Sequence, residues 1–169
     1  MHFRLFPAAV ALALSTTPFF AGPLIEVELE PIKHVEATLI VVGADGTETT
    51  YTPAMLENFA TYSITTTTPW REVPAEFEGV LLSDILAAHG LDRSASITVT
   101  AENDYATTMD RELWENVEIL VATRVDKRPH SRRARGPIQF VIDNDTFASS
   151  ELTSESNLVW MAARIEAEG

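Results

Sequence analysis

The chain has 169 residues, no cysteine and a formal net charge of −13, which excludes a disulfide framework, a thiolate metal site and a cysteine nucleophile. The same acidity makes nucleic acid and anionic membrane surfaces poor partners.

Met1 to Arg4 is short and carries one positive charge, Phe6 to Leu14 is apolar, and Ser15 to Gly22 ends in small residues around Ala21. That is the shape of a secretory signal and too short for a membrane span, although Phe19 is bulky for a cleavage motif. The expectation is a cleaved signal peptide over residues 1–21 and a single domain over 22–169. A domain of that size buries about 70% of its unfolded surface and needs no covalent staples. Export without disulfides points to a bacterial periplasm.

Leu24 to Glu30 alternates apolar and acidic residues, as an edge strand does. Ala37 to Val42 and Glu48 to Thr52 read as a hairpin around the turn Gly43 to Gly46. Thr52-Pro53 starts a helix that runs from Ala54 to about Phe59. Tyr62 to Thr68 is β-branched and reads as a strand; Pro69-Trp70-Arg71 breaks it, and a loop runs to Glu76.

The stretch Glu76 to Leu91 organises the rest: a strand end, a turn at Gly79 and a short buried helix. Leu81, Leu82, Ile85 and Leu86 share one helical face, Ser83 and Asp84 suit the helix start, and Gly90 stops it. Ser96 to Ala101 and Tyr105 to Thr108 are strands about the turn Asn103-Asp104. Asp110 caps a helix over Arg111 to Glu115, and Glu118 to Val125 and Ile138 to Ile142 are buried strands. Phe147 to Glu155 reads as polar loop, and Leu158 to Glu166 closes the chain with Trp160 and Ile165 as core residues. About eight strands and three short helices make an α+β, mostly β domain.

Six of the twelve Lys and Arg residues lie between Arg124 and Arg135 (Arg124, Lys127, Arg128, Arg132, Arg133, Arg135), with His130 among them and Gly136-Pro137 closing the group. Guanidinium forks beside close-approaching backbone make a cradle for an anion or a planar polar ring; a solvated loop paired with the acidic surface is the alternative. Trp70 is either packed under its own loop or a stacking platform for a flat ligand. Glu102-Asn103-Asp104-Tyr105 is either an ordinary turn or a ring-edge reader, with a carboxylate accepting two parallel hydrogen bonds and Tyr105 beside the ring. His34, His89 and His130 have no second ligand at metal spacing. There is no GxSxG elbow and no glycine-rich phosphate loop. The residues therefore favour a ligand-binding module over an enzyme.

From Glu76 onward the chain resembles the molybdopterin-binding domain of the sulfite oxidase family. The resemblance rests, in order, on EFEGVLLSDILAAHGL, ITVTAENDYATTMDRELW (Ile97 to Trp114), ILVATRVDKRP (Ile119 to Pro129), RGPIQFVI (Arg135 to Ile142) and LVWMAARIE (Leu158 to Glu166). It implies a mixed α/β domain with a β-rich core. The family's enzymes hold molybdenum through a cysteine just before the central helix. Here the corresponding stretch, Ile64 to Pro69, reads ITTTTP, and threonine does not replace a thiolate. Molybdenum is accordingly not expected. A small, exported, cysteine-free chain of this pattern is similar to periplasmic pterin-binding proteins of proteobacteria. These report a reduced pterin, the tetrahydro form included, to the periplasmic domain of an inner-membrane sensor of cyclic di-GMP signalling. The resemblance implies that Trp70 stacks on the pterin, that Arg132, Arg133, Arg135 and Gly136 line its pocket, and that Asp104 or Glu102, with Tyr105, meets the pyrimidine edge. Two other readings remain open: a molybdopterin-dependent oxidoreductase subunit, and an interaction module that has lost its pocket.

Overall fold

The computed structural model describes residues 24–168, so the expected signal peptide lies outside the described residues. These residues form an α+β fold made mostly of strands, in two sheets. The first sheet is antiparallel and runs β1 (Ile25–Glu26), β4 (Thr61–Thr68), β5 (Arg71–Leu81), β8 (Leu120–Val125), β10 (Gln139–Val141), with β9 (Arg128–Pro129) also on β8. The second runs β3 (Glu48–Tyr51), β2 (Leu39–Val42), β11 (Ala162–Ala167), β6 (Ser96–Ala101), β7 (Ala106–Asp110). There β11 is parallel to β2 and antiparallel to β6. Four short helices, α1 (Pro53–Leu56), α2 (Leu82–Ala88), α3 (Arg111–Asn116) and α4 (Asn144–Ser149), connect them.

One core holds residues from both sheets: Leu39, Val41, Val99 and Ile165 from the second, Val80, Val121 and Phe140 from the first. Leu82, Ile85 and Leu86 of α2 are fully buried in the same cluster, which gives a helix too short to stand alone its reason to exist. Strand alternation sends the neighbouring residues Leu120, Ala122 and Val141 to a smaller cluster with Ile64, Ala75 and Phe77.

Several expectations change. Residues 71–76 are not a loop but the first half of β5, paired with β4 from Thr68↔Arg71 onward. Pro69 and Trp70 form the hairpin tip, and β8 joins β5 only from Phe77, so Pro74, which has no N–H, faces no ladder on that side. Gly79 is mid-strand rather than a turn, at an irregularity where β8 comes so close that a Cβ would strike the Val121 carbonyl oxygen. Helix α2 follows β5 directly; Leu81 precedes it and no side chain caps it, so Ser83 is not a cap, whereas Asp84 does put a negative charge in the first turn. Gly90 does take the left-handed stop, with φ +67°. Asp110 likewise makes no capping bond to α3. Residues 144–149, whose second half was expected as polar loop, are helical because Asp143 Oδ2 accepts hydrogen bonds from the Asp145 and Thr146 amides.

Residues 27–38 form an arm without regular secondary structure, held by polar contacts. Arg124 Nη2 donates to the Glu30 carbonyl (2.8 Å) and to Glu57 Oε2 (2.6 Å), and Arg124 Nε donates to Glu57 Oε1 (2.9 Å). Thr123 Oγ1 donates to Glu57 as well, and His34 Nε2 lies 3.1 Å from it. Burial works to raise the Glu57 pKa, but the Arg124 and Thr123 hydrogen bonds outweigh it and hold the carboxyl below its ordinary range. Arg124, expected in the basic cluster, is thus a buried structural residue.

Candidate functional site

The β4–β5 hairpin presents Trp70 at its tip because Thr68 and Arg71 pair on either side of a two-residue turn. Trp160 comes from the segment before β11, against expectation: it is half-buried and faces a cleft instead of the core. The reason is local. Leu158 and Val159 are both buried in sequence, and Met161 is left-handed (φ +55°), so strand alternation is broken on both sides of the indole.

Two adjoining cavities share Trp70 and Trp160. The first, about 250 Å³, is completed by Asn103, Tyr105, Glu155, Ser156, Leu158 and Val159. The second, about 370 Å³, is completed by Thr68, Arg71, Phe77, Arg132 to Arg135 and Gln139. The pair makes one cleft, aromatic at one end and cationic at the other. Its dimensions are those of a small-molecule site.

Three residues other than glycine adopt left-handed backbone around this cleft: Asp104 (φ +64°), Arg135 (φ +78°) and Met161. They are tied together. Glu102 N donates to the Met161 carbonyl (2.8 Å), Met161 N to the Arg135 carbonyl (3.3 Å), and Asp104 N to the Ala101 carbonyl (3.1 Å). Such strain persists only where the surroundings over-determine it.

The Arg135 guanidinium lies 4.4 Å from the Trp70 ring centroid and 5.2 Å from that of Trp160, within cation–π range of both. Arg132 is engaged differently. Its Nε and Nη2 donate to Glu102 Oε2 (3.0 Å) and Oε1 (2.8 Å), and Nη2 also donates to the Glu36 carbonyl (3.0 Å). The Glu102 bond raises the Arg132 pKa above its usual value. Among the described residues neither Arg133 nor Arg135 has an ion-pair partner.

The structure therefore gathers Trp70, Tyr105, Arg132, Arg133 and Arg135 at the cleft, with Tyr105 46% and Trp70 37% exposed. It does not bring the other expected residues there as ring readers. Glu102 is held by Arg132 and lines a third cavity, on the arm side. Asp104 is exposed at the turn and lines neither cavity of the cleft. Gly136 is buried against His130, whose ring a Cβ would meet; it shapes the corner and touches no ligand space. His130 itself points inward, 2.7 Å from Gln139 Oε1, and burial pushes its pKa down. Burial thus favours the neutral ring, which shares a hydrogen bond with the Gln139 side chain through Nε2. Glu155, Ser156 and Trp160 belong to the cleft and were not expected there. Glu155 is exposed and lines the aromatic end.

No protein-family model matches the chain, and no curated protein matches it. Among the described residues no three His, Asp or Glu side chains are grouped to hold a metal ion, and no helix is long and apolar enough to cross a membrane.

Proposed function

We propose that the protein is an exported, periplasmic, non-catalytic pterin-binding protein. In this reading its fold is of the sulfite oxidase molybdopterin-binding type, and it reports a reduced pterin to the periplasmic domain of an inner-membrane sensor of cyclic di-GMP turnover. The observation that carries the reading is the pair of indoles, Trp70 and Trp160, lining one cleft with Tyr105. A bicyclic ring offers flat faces for these side chains, and such stacking is tolerant of ring identity. The polar edge of a pterin is an alternation of donors and acceptors. Asn103, Ser156 and the Glu155 carboxylate stand at the aromatic end to meet it, in place of the Glu102 or Asp104 expected from the sequence.

A molybdenum–thiolate centre does not fit the residues present. The chain has no cysteine, and in the stretch Ile64 to Pro69 the Thr66 hydroxyl is engaged as acceptor for the Asn144 amide (2.9 Å). The oxidoreductase alternative would therefore have to hold molybdenum through non-protein ligands alone.

Arg132 offers a path by which occupancy would be read outside the cleft. It touches the cleft loop, the Glu102 turn and the arm at Glu36 through one guanidinium. A ligand that shifts the loop would alter the arm, and the arm would then be the surface that the sensor reads. Calorimetric titration of the protein with dihydro- and tetrahydropterin tests the reading. Saturable heat at a single site is expected; no heat with either compound would leave the interaction module as the better account.

A further inference from the structure

An indole face carries negative quadrupolar charge, so a cleft lined by Trp70 and Trp160 attracts flat cations. The net charge of −13 adds a long-range field of the same sense. Left to these two features, the cleft would collect any flat cationic compound that reached it. The arginines of the cleft oppose this, Arg135 most directly. The Arg135 guanidinium already stands over both rings, at 4.4 and 5.2 Å from their centroids.

Its position is built in. Arg135 is left-handed at φ +78°. Its amide donates to the Arg132 carbonyl (3.2 Å), the Gly136 amide donates to the Ser131 carbonyl (2.8 Å), and its own carbonyl accepts from Met161 (3.3 Å). The loop cannot relax toward His130, because Gly136 is already in contact with that ring and its backbone. No carboxylate among the described residues neutralises Arg135 or its neighbour Arg133, which lines the same cleft. A cation without an ion-pair partner, held on two aromatic faces, is costly to approach with a second cation.

We propose that Arg135 determines the specificity of this cleft: as its resident cation it excludes flat cationic compounds and reserves the indoles for neutral or anionic rings. The proposal rests on the reading that the cleft holds a flat ring, but not on that ring being a pterin.

Equilibrium dialysis against two bicyclic probes of one size tests it, N-methylquinolinium as the cation and 1-methyl-2-quinolone as the neutral ring. The wild-type protein should prefer the neutral probe by tenfold or more. Arg135→Met should remove or reverse the preference, chiefly by gaining affinity for the cation. Arg135→Lys, which keeps the charge and loses the planar fork, should retain the preference. On the wild-type protein alone, raising the salt concentration should narrow the ratio, since the discrimination is electrostatic. Equal binding of the two probes by the wild type would overturn the proposal. So would an unchanged ratio in a folded Arg135→Met variant, or failure of both probes to bind the wild type. If the probes are discriminated as expected while dihydropterin does not bind, the pterin reading fails and the role of Arg135 stands.

Discussion

Trp160 and Trp70 reach the cleft for different reasons, one from a broken strand alternation and the other from a hairpin tip. In the proposed function each would give one face to a bound ring, and a stacked base or ring is worth about 1–3 kcal/mol per aromatic partner. Trp160→Ala and Trp70→Ala should therefore each weaken pterin binding by about tenfold or more in a calorimetric titration while the melting temperature stays close to wild type. Unchanged affinity in either variant removes that indole from the site. Glu78 is a residue-scale problem of another kind. It is buried, its Oε2 has no hydrogen-bond partner, and burial raises its pKa, with Glu76 adding to the shift and Arg124 opposing it. The unfolded chain ionises near pH 4.3, before the folded one does, so this group costs stability as pH rises through that window. Glu78→Gln should melt higher than wild type at pH 7, and the difference should vanish below about pH 4. A lower melting temperature at pH 7 would mean that the Arg124 interaction outweighs the burial.

Helix α2 shows how elements are fixed by their docking. It has no side-chain cap, and Leu82, Ile85 and Leu86 are all fully buried. Truncating one of them leaves a cavity as well as losing transfer energy, so Ile85→Ala should cost about 2–5 kcal/mol in denaturant unfolding. A loss under 1 kcal/mol would mean that the face is not packed as described. The apolar spacing that defines this helix was legible in the sequence, as were β2, β3, β4, β6 and β8, because β-branched runs and turn residues mark them locally. The first half of β5 was not. Its Arg71 and Pro74, just after Pro69-Trp70, look like loop chemistry, and only pairing with β4 makes them strand. The same limit applies to Gly79, where the need for glycine comes from β8, a strand distant in sequence. Helix α4 carried a readable signal in Asp143, whose side chain caps it, outweighed by the polar composition that follows.

At the scale of the whole molecule, two buried groups make stability fall with acid. His130 is held neutral with its pKa lowered by burial, so the stability it contributes is complete above about pH 6.5 and declines as pH falls from there. The Glu57 carboxyl is depressed by Arg124 and Thr123 against the effect of burial; its contribution is present above about pH 4.3 and is lost as pH falls through its folded value. The melting temperature should accordingly decline below about pH 6.5 and again below about pH 4; a flat profile between pH 7 and 5 would contradict a neutral, buried His130. The aromatic cleft was half legible: Trp70, Tyr105 and the arginines were visible as residues out of place, whereas Trp160 looked like core until the left-handed Met161 beside it was seen. Glu102 looked free because nothing local shows that Arg132 holds it across the fold. The central claim is that this cleft carries a pterin, and the most direct measurement is on the protein isolated from its own host. Purified without added ligand and then denatured, it should release a compound with blue pterin fluorescence and a pterin mass. An empty release spectrum, from protein that also gives no heat with reduced pterins, would contradict the account.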